Sequence, residues 1–587
     1  MIARWTLSRI ALVLLGPLSG LALAGCPASS GSTPDAASSA SSDGAGVPSA
    51  SAVAAEGSVT AATSAPVPAG SIVVSTEPVD APGPVFTSDG PVDVLIQHGL
   101  VYDGSGGPPL RADVVIQGDE IAHVGPTSPE LKAKLTVEAK GQAVTPGFID
   151  THAHGDPTSD NTNFVYQGVT SICLGQDGKS PSDDRIASWA KRNRKKKLRV
   201  NSLPFVGHGT ARSRTKIGLA KDALSDAQLG KLQDFVAGEL AAGAWGLTTG
   251  LEYRPGSLAE TRELRAIAKP VATADGVIMS HLRSEDDDAI DAALDELLAQ
   301  AEEGARVHVS HIKVVYGKGE ARAEALLDKL EQARRKGYRV TADIYPYNAS
   351  YTTISIVFPD WAKPPASYKR VKRERRDELL EFLRERVTRR GGPEATLFGT
   401  GALAGLTLAE VAQKKGKPFE EVLAFDIGPG GASAAYFVMD DALQSRLLLD
   451  PQVMVSTDGG YSSSHPRGYG AFATVIQEHV MKRKALPLQE AVRKMTGLPA
   501  DTLRLSDAAF SATRRGRLEK GWAADVLVFD PAEIEARASY DKPRRFASGM
   551  RWVFVNGRAA IADGKLKSRF AGRILLKQKG ADQAEKP

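Results

Sequence analysis

Between residues 148 and 458 short apolar runs alternate with longer stretches of helical period. The runs are Phe148-Ile-Asp-Thr-His-Ala-His, Val169-Thr-Ser-Ile-Cys-Leu-Gly, Val200-Asn-Ser-Leu-Pro-Phe-Val-Gly and Trp245-Gly-Leu-Thr-Thr-Gly, followed by Val277-Ile-Met-Ser-His-Leu-Arg, Val307-His-Val-Ser-His-Ile-Lys, Val340-Thr-Ala-Asp-Ile-Tyr and Val453-Met-Val-Ser-Thr-Asp-Gly. Helical spacers such as Asp288 to Glu303 and Ala321 to Lys336 separate them. Eight strands alternating with helices predict an α/β fold, a (β/α)8 barrel spanning 144–504, with a doubly wound open sheet as the structural alternative. The connection from about Phe358 to Asp450 is much longer than the others and carries its own helical pattern at Arg373 to Arg389, which predicts an inserted subdomain near the barrel mouth. Before the barrel, alternating runs at Val92, Asp113 and Ile121 read as short strands. Similar runs at Asp525 and Trp552 follow it. Residues 91–143 and 505–575 therefore read as two halves of one small β domain.

The polar residues at the ends of these strands carry the chemistry. His152 and His154 stand at i and i+2 and so project together from the first strand. Strands five, six and eight end at His281, His311 and Asp458, and Asp177 follows strand two. In a (β/α)8 barrel such ends converge on one mouth. Four histidines and two carboxylates there suffice for one or two first-row divalent ions, with zinc the most natural. Lys313 and Arg283 each lie two residues beyond a histidine and are expected to share its face. His208, at the end of strand three, is a candidate to reach a substrate. His308 is expected to point away, and His98, His123 and His479 read as surface residues.

The first 90 residues change the picture of where this body sits. Met1 to Arg9 is basic, and Ile10 to Leu23 is apolar but too short to span a bilayer, so residues 1–25 read as a signal peptide. The tetrapeptide Leu23-Ala-Gly-Cys26 resembles a bacterial lipobox, which implies acylation of Cys26 and a lipid-anchored place in the bacterial cell envelope. Residues 27–70 are 34 of 44 Ala, Ser, Gly or Pro, so 26–90 is expected to be a flexible linker. A formal charge of +4 over 587 residues argues against a chain built mainly to hold nucleic acid. Two cysteines exclude a disulfide framework. The basic run Lys191 to Arg199 precedes strand three and is expected at the barrel bottom, as a solvated helix end or a contact for anionic lipid.

Val144-Thr-Pro-Gly-Phe-Ile-Asp-Thr-His-Ala-His-Gly-Asp156 resembles the opening signature of the amidohydrolase superfamily, and closely that of its D-aminoacylase branch. Similar stretches follow in order: Gly207-His-Gly, Gly246-Leu-Thr-Thr-Gly-Leu-Glu-Tyr-Arg-Pro-Gly256, His281-Leu-Arg-Ser-Glu285, Ser310-His-Ile-Lys313, Asp343-Ile-Tyr-Pro-Tyr347, Ser456-Thr-Asp-Gly459 and His465-Pro-Arg467. The resemblance implies a metal-dependent barrel with a small β-sandwich domain. It implies one metal position made by His152, His154 and Asp458 and another made by His281 and His311, with Asp458 as general base and acid. It places substrate-carboxylate contacts on Lys313 and Tyr345, and the substrate as an N-acyl-D-amino acid or related amide. Arg283 is expected to orient substrate or to pair with Glu285. The branch's bridging cysteine is replaced by Asp177 in Gly175-Gln-Asp177-Gly, with Cys173 as the alternative ligand, and Tyr351 stands where a small residue is usual. Rival readings are a dipeptidase, cyclic-imide hydrolase or lactonase of the same fold, or an amide-binding envelope lipoprotein of weak activity.

Overall fold

The computed structural model describes residues 76–578. The signal peptide, Cys26 and most of the expected linker lie outside them. The linker's last residues do not: Val79–Asp80 pairs in parallel with Leu110–Arg111, and Phe86 bridges to Thr127, so the ordered body begins before residue 91.

The eight apolar runs form eight parallel strands. They are β1 (Phe148–Asp150), β2 (Val169–Leu174), β3 (Asn201–Pro204, resuming at Val206–Gly207), β4 (Gly246–Gly250), β5 (Val277–His281), β6 (Arg306–Val309), β7 (Val340–Ile344) and β8 (Val453–Val455). Each pairs with the next in chain order. The circle closes where Ala153 bridges to Gly459, with Asp458 N donating to His152 O at 2.8 Å and His154 N to Gly459 O at 2.8 Å. The fold is a (β/α)8 barrel. Its strands are buried on both faces, which is why they read as continuous apolar runs rather than as alternation. The spacers fold as helices Ile290–Ala301 and Gly319–Arg335, whose Leu294, Leu297, Leu326 and Leu330 pack on the barrel.

Both ends of the body join one ten-stranded sheet, in which Ala143–Pro146 pairs with Val526–Phe529. The period of two decides where each side chain goes. Val526 and Val528 pack with Val94, Ile96, Val114 and Ile116 in the sheet's own core, while Leu527 and Phe529 face the barrel. A buried network holds the two parts together: Asp525 accepts from Asn201, Arg515 and the Asn556 backbone.

The long β7–β8 connection has a core of its own, including Ile354, Phe358, Leu379, Leu383, Val422 and Tyr436. A three-stranded antiparallel sheet of Ser350–Thr353, Thr396–Phe398 and Ser433–Tyr436 forms one side of it. The inserted unit thus starts at about Ser350, ahead of the expected Phe358. Of the basic run, Lys191, Arg192, Arg194, Lys195, Lys196 and Lys197 are exposed, in the last turn of helix Ile186–Asn193 and the residues between it and β3, at the barrel's N-terminal end, while Arg199 is buried. His98 is exposed and His123 half-buried. His479 is not a surface residue: it is buried on a helical segment, and burial pushes its pKa down to about 4.

Candidate active site

The C-terminal ends of the strands bring the polar residues together. His152 and His154 follow β1, Asp177 lies three residues past β2, and His281 ends β5. His311 lies two residues past β6 and Asp458 three past β8. Asp177, His311 and Asp458 all have positive φ, at 54°, 38° and 44°. Non-glycine residues rarely adopt this region and hold it only where the surroundings fix it. The surroundings here are two carboxylates buried beneath the mouth. Asp343 accepts from the His311 backbone at 2.6 Å, Ser456 at 2.9 Å and Thr151 at 2.7 Å, and its Oδ2 lies 2.8 Å from His308 Nε2. Asp150 accepts from the backbones of His152 and Thr457 and from the Thr457 hydroxyl. His308 therefore serves this lower layer, pointing away from the mouth.

Two donor groups face one another above that layer. His152 Nε2 is 3.7 Å and His154 Nε2 3.1 Å from Asp458 Oδ1. His281 Nδ1 is 3.0 Å from His311 Nε2. Asp177 lies between the groups: Oδ1 is 3.4 Å from His152, 3.8 Å from His281 and 3.6 Å from His311, and Oδ2 is 3.5 Å from His154. Neither ring nitrogen of the buried His152 has a hydrogen-bond partner, nor does Asp177 Oδ1. Buried polar atoms are rarely left so. Convergent, unpartnered imidazole and carboxylate atoms fit a first-row divalent cation.

The outer side of each ring is also held. His281 Nε2 lies 3.0 Å from Glu252, and His311 Nδ1 3.1 Å from Glu285. A carboxylate on the far nitrogen of an imidazole fixes its tautomer and aims its lone pair. The electrostatics agree with an assembly that attracts cations. Burial works to raise the Asp458 and Asp177 carboxyls, yet Arg467 and His311 hold the first well below the usual carboxylate range, and His152 with its neighbouring histidines does the same for the second. Burial and Lys313 both work to lower His311, but Asp458, Asp177 and Glu285 carry it up to about 10.

These groups open into a cavity of about 990 Å³. Lys313 and Tyr345 both line it: Lys313 Nζ is 2.5 Å from Glu285 and 5.8 Å from the centre of the Tyr345 ring, and the Tyr345 hydroxyl is buried without a partner. Tyr351, Thr352, Thr353 and Ser433 bring the inserted unit into the same wall. Two expected substrate contacts are absent from it. His208 is fully buried, 2.7 Å from Glu263, which also pairs with Arg212. Arg283 turns away from the mouth to pair with Glu296 at 2.8 Å, not with Glu285, and to donate to the carbonyls of Ser257 and Ala259. Cys173 is fully buried inside the barrel beside Ile149, Leu203 and Phe205, where burial pushes its thiol pKa well up, so it is no alternative ligand. Glu252 and Arg467 join the site without having been assigned a role from the sequence, and Glu285, expected only as a partner for Arg283, joins it beside His311 and Lys313. All three stand in motifs that flank the ligands, and Arg467 pairs with Asp458 at 2.7 Å.

Comparison with known proteins agrees with this geometry. The chain is 31% identical over 514 residues to a D-aminoacylase from Alcaligenes xylosoxydans xylosoxydans, covering 83% of this chain and 98% of that one. It is 33% identical over 516 residues to an N-acyl-D-glutamate deacylase of the same organism, covering 82% and 96%. The chain belongs to the D-aminoacylase branch of the amidohydrolases. The profile described as Amidohydrolase family matches residues 422–561. Among solved structures, the crystal structure of N-acyl-D-glutamate deacylase from Bordetella bronchiseptica, complexed with zinc and a phosphonate mimic of the tetrahedral intermediate, superposes with a TM-score of 0.71 at 28% identity, covering 83% of this chain and all of that one. A D-aminoacylase structure gives 0.70 at 30% identity, with the same coverage.

Proposed function

We propose that this protein hydrolyses the amide bond of N-acyl-D-amino acids, with zinc held by His152, His154 and Asp458 on one side, His281 and His311 on the other, and the two oxygens of Asp177 between them. The observation that carries the reading is the convergence of these six side chains, five of them lining one cavity whose wall also holds Lys313 and Tyr345 and the sixth, His152, buried 3.4 Å from Asp177. The relatives' activities on N-acyl-D-amino acids supply the substrate class and its handedness.

A divalent metal bound there supplies Lewis acidity, polarising a carbonyl and making hydroxide available near neutral pH. The chain's own residues supply the proton traffic. Asp458 is ionised at neutral pH, so it is a base when the substrate arrives. Its Oδ2 is fixed by Arg467 at 2.7 Å, which leaves Oδ1 on the side of His152 and His154. It takes the proton from the attacking water and returns it to the leaving nitrogen, which departs as the neutral amine. The Tyr345 hydroxyl and the Lys313 ammonium, stacked on one wall, receive the substrate carboxylate. The LAGC tetrapeptide supports acylation at Cys26 and an anchored position in the cell envelope, which mass spectrometry of the membrane-extracted protein checks through the mass of the Cys26 peptide.

The test of the activity is amine release from paired N-acetyl-D- and N-acetyl-L-amino acids by the zinc-loaded protein. Release from the D series alone is the expected result. Release from neither, with metal bound, overturns the reading and points to a dipeptide, cyclic imide or lactone as substrate.

A further inference from the structure

The helix Arg376–Arg389 and the residue after it carry three arginines toward the barrel, and two have a carboxylate. Arg386 pairs with Asp286 at 3.1 Å, and Arg389 with Asp288 at 2.7 Å. Arg390 has none among the described residues, although it is only 2% exposed. Its guanidinium carbon lies 4.9 Å from the centre of the Tyr436 ring, one terminal nitrogen reaches the Tyr316 hydroxyl at 3.4 Å, and Nε is buried with no partner. The residue lines the same cavity as the metal-binding groups, and Thr353 and Ser433 of the inserted sheet line it too. Asp286 faces this wall but is engaged by Arg386.

A guanidinium remains protonated at any physiological pH, and its fork of donors matches a carboxylate. Burying that charge with one long hydrogen bond and an aromatic face leaves most of its desolvation uncompensated. An aromatic stack alone is a modest return. A charge held in this way on a cavity wall is matched when an anion enters the cavity. Lys313 and Tyr345, already placed at the substrate's α-carboxylate, contribute nothing to this second position.

We propose that Arg390 is a specificity-determining residue that binds a second carboxylate of the substrate, so that the preferred substrates are dianionic N-acyl amino acids. The proposal rests on the amide-hydrolase reading above. The second carboxylate has two chemical sources, an acidic amino-acid side chain or the far end of a dicarboxylic acyl group.

The test compares the zinc-loaded full chain with its Arg390→Met and Arg390→Lys variants on four substrates: N-acetyl-D-glutamate, its neutral isostere N-acetyl-D-glutamine, N-acetyl-D-leucine and N-succinyl-D-leucine. A charge-assisted hydrogen bond predicts that the wild type prefers the dianionic member of one pair, glutamate over glutamine or N-succinyl- over N-acetyl-D-leucine, by at least about 10-fold in kcat/KM. Arg390→Met is expected to erase that preference through KM, leaving glutamine and leucine within about 2-fold, and Arg390→Lys to restore part of it. Preference for N-acetyl-D-glutamate places the second carboxylate on the side chain, and preference for N-succinyl-D-leucine places it on the acyl group. Equal turnover within both pairs by the wild type, glutamate with glutamine and N-succinyl- with N-acetyl-D-leucine, overturns the proposal without needing a variant. So does an Arg390→Met protein that loses all substrates alike. If no amide is turned over, calorimetric binding of the same two pairs decides: tighter binding of N-acetyl-D-glutamate than of glutamine, or of N-succinyl- than of N-acetyl-D-leucine, that depends on Arg390 upholds the anion subsite while the hydrolase reading falls, and equal binding within both pairs removes both.

Discussion

Glu285→Gln isolates the contribution of a carboxylate that touches two site residues at once. Glu285 Oε1 lies 2.5 Å from Lys313 Nζ and 3.1 Å from His311 Nδ1, and all three residues are less than a tenth exposed. Glutamine keeps the volume and one acceptor oxygen but removes the charge. At 2.5 Å, the gross attraction between Glu285 and Lys313 is about 7 kcal/mol at an effective dielectric constant of 20. Desolvation consumes much of it, and breaking a buried pair of this kind costs about 3–5 kcal/mol. The retained amide oxygen puts the expected loss near the lower figure, about 3 kcal/mol, or roughly 3 °C in Tm for a chain of this size. The second consequence is chemical. With a neutral amide, which can turn either its oxygen or its NH2 toward the ring, His311 Nδ1 lies 2.8 Å from the Lys313 ammonium with no opposing charge, so the tautomer that offers Nε2 to the metal is no longer enforced. Loss of such a partner lowers metal affinity by about 10–100-fold. Competition between the protein and a chelator for zinc measures the affinity, and thermal unfolding of the metal-free protein measures the stability. A variant that loses stability but binds zinc as the wild type does would refute the claim that Glu285 aims His311.

Arg283→Ala is expected to lower stability by about 2–3 kcal/mol, because it removes a bidentate pair with Glu296 and two bonds to carbonyls, while kcat/KM of the metal-loaded protein stays within about 2-fold. A raised KM with unchanged unfolding would restore it as a substrate contact. Asp458→Ala is expected to fold, to keep metal in the His281–His311 group, and to hydrolyse amides at least about 100-fold more slowly, with near-normal turnover refuting the proton-transfer role. Lys494 gives a pH signature away from the site. It is fully buried, donates to the Asp450 carbonyl, and burial lowers its pKa to about 7. The unfolded chain keeps this proton up to about pH 10, so between about pH 7 and 10 it binds more protons than the folded chain, and folding stability rises with pH across that window. Lys494→Met removes this rise. Denaturant unfolding at both ends of the window measures it, and parallel pH profiles for the two proteins would contradict the burial argument.

The barrel was legible because parallel strands buried on both faces leave unbroken apolar runs, and because a histidine at the end of such a run stands out. The rule that residues two apart share a face holds only inside a strand, and the two basic residues it was applied to show its limit. Arg283 lies past the end of β5, where the chain has already turned, and its side chain faces Glu296 instead of the mouth. Lys313 lies past the end of β6 too, yet it reaches the cavity. What brings it there is the left-handed turn at His311, fixed by Asp343 from another strand. No local pattern encodes that contact. His479 misled for a related reason: one imidazole on a helical segment has no periodic signature separating a packed face from a wet one. Arg390 was invisible in a run of basic residues, because what distinguishes it from Arg386 and Arg389 is the carboxylate it lacks.

A carboxylate rather than a thiolate at position 177 sets the charge and shape of the centre together. A single sulfur offers one atom to both sides, whereas Asp177 offers two oxygens, and the structure uses them unequally: Oδ1 faces His152, His281 and His311, and Oδ2 faces His154. A carboxylate needs a more open turn to set its plane across the two groups, and the positive φ at Asp177, next to Gly178, provides it. Added to Asp458, Glu252 and Glu285, it keeps every donor and every outer partner an oxygen or a nitrogen. Such a set favours harder first-row ions more than a sulfur-bridged one does. The only cysteine among the described residues is sealed in the apolar interior of the barrel, so the centre contains no thiolate to oxidise. Asp177 on the β2 loop thus shifts the donor set toward harder ions, while the histidines that make the centre stay where the barrel holds them.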